Sequence, residues 1–215
     1  MNRLGDLLTA SKTHRAHFAA ITVAAVPAAA AIVALAPATA VAHEGHRTSG
    51  LTEGFLHPLL GVDHLVTMVA VGLVSVVVGG GAIWRVPGMF VLMLAVGGIV
   101  GFRGWELVGV ELWILGSLTL FGVTLVTGPA LRLSWTLAAV ALFGFAHGNA
   151  HGLELPVTVT PVGYTAGFVA ASAACHVTGI GIGSLIMKSR RRGGLLVTSG
   201  WAILTAALLI AVGAT

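Results

Sequence analysis

The stretch HPLLGVDHLVTMVAVGLVSVVV, residues 57–78, decides how this chain folds. Its second half is an unbroken apolar run, and with the residues around it (55–79) it reaches the roughly 20 residues a helix needs to cross hydrocarbon. Its first half carries His57, Asp63 and His64. Ionisable groups inside a spanning helix cost on the order of 2.5–3.5 kcal/mol each, so a helix that keeps three of them is read as functional.

The composition places the whole chain in lipid. Of its 215 residues 57% are hydrophobic and 8% charged, with mean hydropathy +1.00, too little polarity for a water-soluble surface. The 11 Lys+Arg against 7 Asp+Glu do not form a nucleic-acid footprint. Lys188, Arg190, Arg191 and Arg192 sit together between two apolar runs, where they read as a topology signal. The single cysteine, Cys175, excludes an intramolecular disulfide and a thiolate cluster, which leaves nitrogen and oxygen to hold any metal.

Residues 1–42 form a separate unit. A basic start (Arg3, Lys12, Arg15), an apolar stretch from Phe18 to Leu35 and the small-residue ending ATAVA predict a secretory signal peptide cleaved after Ala42. The mature chain, 43–215, would begin HEGH. Six apolar runs follow, near 55–79, 83–102, 107–127, 132–153, 160–187 and 194–213, separated by GGGAIWRVPG, GFRGWE, TGPALR, ELPVTVTP and KSRRRGG. The expected fold is all-α: an integral membrane bundle of six transmembrane helices behind a cleavable signal. With residue 43 outside the cytoplasm, the inner loops hold Arg85, Arg132 and the 188–192 cluster against Arg47 and Arg103 outside, as the positive-inside rule asks. Both mature termini would then lie outside the cytoplasm, in a bacterial inner membrane. Gly148 with Gly152, and Gly179 with Gly183, recur at four-residue spacing and predict close helix contacts.

The polar residues fall in two dense groups. In AHGNAHGLE, His147 and His151 differ by about 40° around a helix and Glu154 by about 20° on the other side, so the three share one stripe that can grip an ion. Leu155 precedes Pro156, so Glu154 is expected to end the helix. On the first span, His57 and His64 share a face, but on a continuous helix about 10 Å separates them. They therefore read as successive stations, with Pro58 in the first helical turn, His57 at the mouth and Asp63 with His64 deeper. Asp63 would ligate or orient an imidazole. His176 lies further in, as a next station. His43 and His46 would capture ions outside. Met68 and Cys175 read as packing, and Glu111 as an interfacial residue or a ligand. Imidazole and carboxylate without thiolate suit nickel, cobalt, zinc or copper(II) better than copper(I), calcium or magnesium.

The segments HPLLGVDHLVTM, FGFAHGNAHGLE and GFVAASAACHVTGIGIG resemble the three signature segments of the HupE/UreJ family, over essentially all of the mature chain. The resemblance implies a nickel or cobalt permease, with His57, Asp63, His64, His147, His151, Glu154 and His176 at the family's polar positions. Ni²⁺ or Co²⁺ would be transported cargo, with no permanently bound cofactor. The lipid bilayer and the ion are the expected partners, nucleic acid is not, and a homo-oligomer and a link to nickel-metalloenzyme maturation are further candidates. In the third segment, Cys175 stands where an apolar residue is expected before the histidine.

Three alternatives compete. Histidines on facing helices hold haem b in some electron-transfer proteins, and a membrane metal sensor would use similar ligands. A membrane metalloenzyme is disfavoured by the absence of H-E-x-x-H and G-x-S-x-G, and a P-loop engine by the absence of G-x-x-x-x-G-K-[ST], so an enzyme is not expected.

Overall fold

The computed structural model describes residues 50–129 and 132–213. His43, His46 and the expected signal peptide lie outside the described residues. Within them the chain forms seven α-helices and no strand: α1 (Leu51–Leu60), α2 (Val62–Val78), α3 (Ala82–Phe102), α4 (Val110–Thr127), α5 (Leu133–Leu153), α6 (Pro161–Lys188) and α7 (Arg192–Ala211).

Local chemistry sets these limits. Gly79 and Gly128 close α2 and α4 at φ +76° and +87°, a conformation that L side chains rarely adopt, and each donates its N–H to a carbonyl four residues back. Pro161 opens α6 at the position where a missing N–H costs nothing.

Four helices, α3, α4, α6 and α7, are long and apolar enough to cross a membrane, and α1 with α2 makes a fifth if that pair, bent by 86°, is one crossing. α5 is 21 residues long, the length of α3, but is not in that set. Its final turns carry His147, Asn149 and His151, which lower its apolarity.

Glycines seat the helices against one another. A Cβ at Gly148 would strike the carbonyl of Leu94, one at Gly152 that of Gly98, and one at Gly97 that of Phe145, so α3 and α5 run parallel with their backbones in contact. The space beside the imidazoles is therefore filled by α3, as the four-residue spacing predicted. Gly179 packs on Val69 and Gly72, and Gly183 on Val76, which sets α2 and α6 parallel as well. Gly122 and Gly200 join α4 to α7, whose registers run in opposite directions. Phe90, Leu94, Leu118, Phe121 and Phe168 fill the core between the helices.

Candidate metal site

The first expected span is broken. α1 ends at Leu60, Gly61 takes an extended conformation (φ −83°, ψ 116°), and α2 restarts at Val62. The 86° bend folds the two halves of HPLLGVDH toward each other. His57 and His64 are consequently not stations separated along one helix: both rings lie against the ring of His151, with centroids 4.8 and 4.3 Å away. Pro58, expected in a first turn, is buried late in α1. The geometry of a continuous helix does not apply across a hinge.

α5 supplies the facing residues. His147 and His151 are fully buried, and α5 ends at Leu153 with Glu154 as its C-cap, as Leu155-Pro156 foretold. The His57 Nε2–H donates to Glu154 Oε2 at 3.0 Å, and His151 Nδ1 lies 3.9 Å from the same oxygen. One ligand atom from each of His57, His151 and Glu154 lies within 4.8 Å of the others. The Glu154 side chain is 55% exposed and that of His57 38%, whereas His151 is 1%, so the site opens at Glu154 and closes at His151. Glu154 stands just beyond its helix, and the His57 hydrogen bond holds its carboxyl below its ordinary value.

Behind this opening the imidazoles are held in one orientation. His64 Nδ1 sits 2.9 Å from Asp63 Oδ1. His147 Nδ1 donates to the carbonyl of Phe143 at 2.9 Å, and His176 Nδ1 to that of Met68 at 2.7 Å. These oxygens only accept, so each Nδ1 carries the hydrogen and, in the neutral ring, Nε2 carries the lone pair. The Nε2 atoms of His64, His147 and His176 are buried with no hydrogen-bond partner in the protein, and so are both ring nitrogens of His151. Fixing one ring nitrogen on an oxygen leaves the other free to ligate, which is how proteins present histidine to a metal. Asp63 is thus placed to hold the His64 ring, and it lies in the first turn of α2, where the helix dipole favours a carboxylate. Gly61 leaves room for the pair: a Cβ there would come within 3.0 Å of Asp63 Oδ1 and 3.1 Å of His64 Nδ1.

The rings form a continuous series. His64 meets His147 at 5.4 Å, and Phe90, fully buried on α3, touches His147 at 5.4 Å and His176 at 5.2 Å. His176 is therefore not in ring contact with the other histidines. Phe90 stands between, and nothing in a single apolar phenylalanine within a span could signal that. Asn149, inside the second motif, is buried: it accepts from the Leu107 N–H and donates to the Trp105 carbonyl, both at 2.8 Å, which ties the α3–α4 loop to α5. Tyr164 lies beside His57 (5.8 Å) with a buried hydroxyl that has no protein partner. Met68 and Cys175 belong to the apolar core, in line with the packing reading. Glu111 is exposed in the first turn of α4 and takes no part in the His57–His151–Glu154 group.

Comparison with known proteins returns the same family as the three segments. The model for the HupE / UreJ protein matches residues 30–210. Protein HupE of Rhizobium leguminosarum bv. viciae is 37% identical over 174 residues, covering 78% of this chain and 91% of that protein. No solved structure matches. A match across most of the chain places this protein, with its apolar membrane-length helices, in the HupE/UreJ family.

Proposed function

We propose that the chain is a permease that takes a divalent transition-metal ion, nickel or cobalt, across the bacterial inner membrane toward the cytoplasm. The observation that carries this reading is a set of four imidazoles whose buried Nε2 atoms have no protein partner, beside the half-open His57–Glu154 pair. Unpaired buried polar atoms are costly, and a row of them is maintained only if something else occupies those positions in the working protein. The ion enters at His57 and Glu154, passes to His151, His64 and His147, and reaches His176 once Phe90 yields. His43 and His46 collect it outside. Several moderate sites favour passage, because each binds well enough to strip water and still releases its ion.

The reading takes the chain across the membrane six times, with α1–α2 as one crossing and α5 as another. The relative directions of the packed helices, α2 with α6 and α3 with α5 parallel and α4 with α7 antiparallel, are compatible with alternating crossings. α5 crosses alongside α3, its polar turns facing the interior. With the predicted signal removed, both termini lie outside and the basic 188–192 cluster inside.

Uptake of radiolabelled nickel and cobalt into cells expressing the chain, against His64→Ala and His147→Ala at equal protein levels, tests the proposal. Saturable uptake lost in both variants is the expected result, and competition between the ions names the preferred one. Inserted, folded protein that shows no uptake and instead a haem absorbance band would replace this reading with electron transfer.

A further inference from the structure

Five hydroxyl-bearing side chains of serine and threonine are buried among the described residues: Thr67, Ser75, Ser117, Thr136 and Ser172. Four of them donate to a carbonyl of their own helix three or four residues back, at 2.6 to 3.3 Å. That is the ordinary way for a helix in a dry interior to satisfy a hydroxyl. Thr67 is the exception: it is completely buried, and its Oγ1 has no hydrogen-bond partner.

Its place in the fold gives the exception a meaning. Thr67 follows His64 by one turn of α2, so their side chains are neighbours on the helix surface. The next residue, Met68, supplies the carbonyl that holds His176. Along α2, Thr67 thus falls between His64 and the residue whose carbonyl holds His176. The remaining buried side-chain atoms without a partner are Nε2 of His64, His147 and His176, both ring nitrogens of His151 and the Tyr164 hydroxyl, so Thr67 belongs to a set otherwise made of the proposed ion-binding histidines and a side chain beside them. An ion held by imidazole nitrogens keeps water at its other coordination positions, and the protons of that water need acceptors in an interior otherwise lined by apolar side chains.

We infer that the Thr67 hydroxyl is a further contact of the transported ion, accepting a hydrogen bond from ion-bound water as a divalent transition metal moves from His64 and His147 toward His176. The inference rests on the permease reading and adds to it a residue of this chain that sets the rate of the inward step. Valine has nearly the shape of threonine without the hydroxyl, and serine keeps the hydroxyl without the methyl.

The full chain, Thr67→Val and Thr67→Ser are compared in proteoliposomes for saturable nickel(II) uptake, with thermal unfolding measured in parallel. The expected result is a maximal rate about ten-fold lower for Thr67→Val, equivalent to about 1.4 kcal/mol. Its half-saturating nickel concentration stays within about two-fold, because the outer ligands are untouched, and Thr67→Ser stays close to the parent rate. A Thr67→Val protein that transports like the parent and unfolds at the same or a higher temperature overturns the inference, since the hydroxyl is then merely tolerated. Equal losses in both variants also overturn it, because side-chain volume and not the hydroxyl would then be at work. No uptake by the unsubstituted chain would remove the permease reading and this inference with it.

Discussion

Asp63 is the residue whose role changes most between sequence and structure. Within a continuous span it is a buried charge in search of an ion. At the first turn of α2 it is a carboxylate on a helix N-terminus that orients His64 through Nδ1. Asp63→Asn is therefore expected to leave the protein folded and to weaken nickel binding by about 10–100-fold, as loss of an orienting partner does, whereas His64→Ala weakens it further while the His57–His151–Glu154 group still binds; isothermal titration of the purified protein checks both. Glu154 makes a prediction in pH. Its carboxyl titrates below its ordinary range in the folded protein, so the His57–Glu154 contact contributes fully above that range and is lost as the pH falls through the lowered value. Thermal unfolding of the parent and of Glu154→Gln should differ at neutral pH and converge as the medium is acidified. A difference that persisted unchanged below the carboxylate range would contradict the pairing.

The break between α1 and α2 is what assembles the site. Gly61 is needed there for space and not for an unusual φ, since φ −83° is open to any residue. Gly61→Ala should push the Asp63–His64 pair by a few tenths of an ångström and lower ion affinity by roughly ten-fold with little loss of folded protein, read by titration beside a thermal melt. The α3–α5 contact is less tolerant. A Cβ at Gly148 meets the backbone of Leu94 and Gly98, which cannot rotate away. Gly148→Ala is expected to destabilise the protein by about 1–3 kcal/mol, seen as a lower unfolding midpoint and reduced yield of monodisperse protein.

Across the molecule, the parity of helix pairing makes a prediction about sidedness. The native Cys175 is buried, so engineered thiols can be read without removing it. Cysteines at Trp105 and Thr158 should label with an impermeant reagent from outside the cell. One at Arg190 should label only after the membrane is opened. Labelling of all three from the same side would contradict six alternating crossings.

Composition and periodicity were enough for an all-helical membrane bundle, for helix ends near Phe102, Thr127 and Leu153, and for the two glycine pairs that seat neighbouring helices. These depend on local rules: apolar run length, breakers, and small residues at four-residue spacing. The placement of His147, His151 and Glu154 on one helix and its cap was legible for the same reason, but the ligand atoms that come together are those of His57, His151 and Glu154, and His57 lies on another helix. His57 and His64 were assigned to one group by chemistry but set apart by distance, since nothing in HPLLGVDH states that the helix stops for one residue at Gly61. Phe90, Asn149 and Thr67 carry no signal of their own, because an aromatic ring, an amide or a hydroxyl takes its role from what packs beside it. The amino-acid sequence established which chemistry is present and that it lies in lipid. Only the tertiary structure decided which nitrogens face one another, because an 86° bend and the meeting of α2, α3, α5 and α6 bring together residues more than a hundred positions apart.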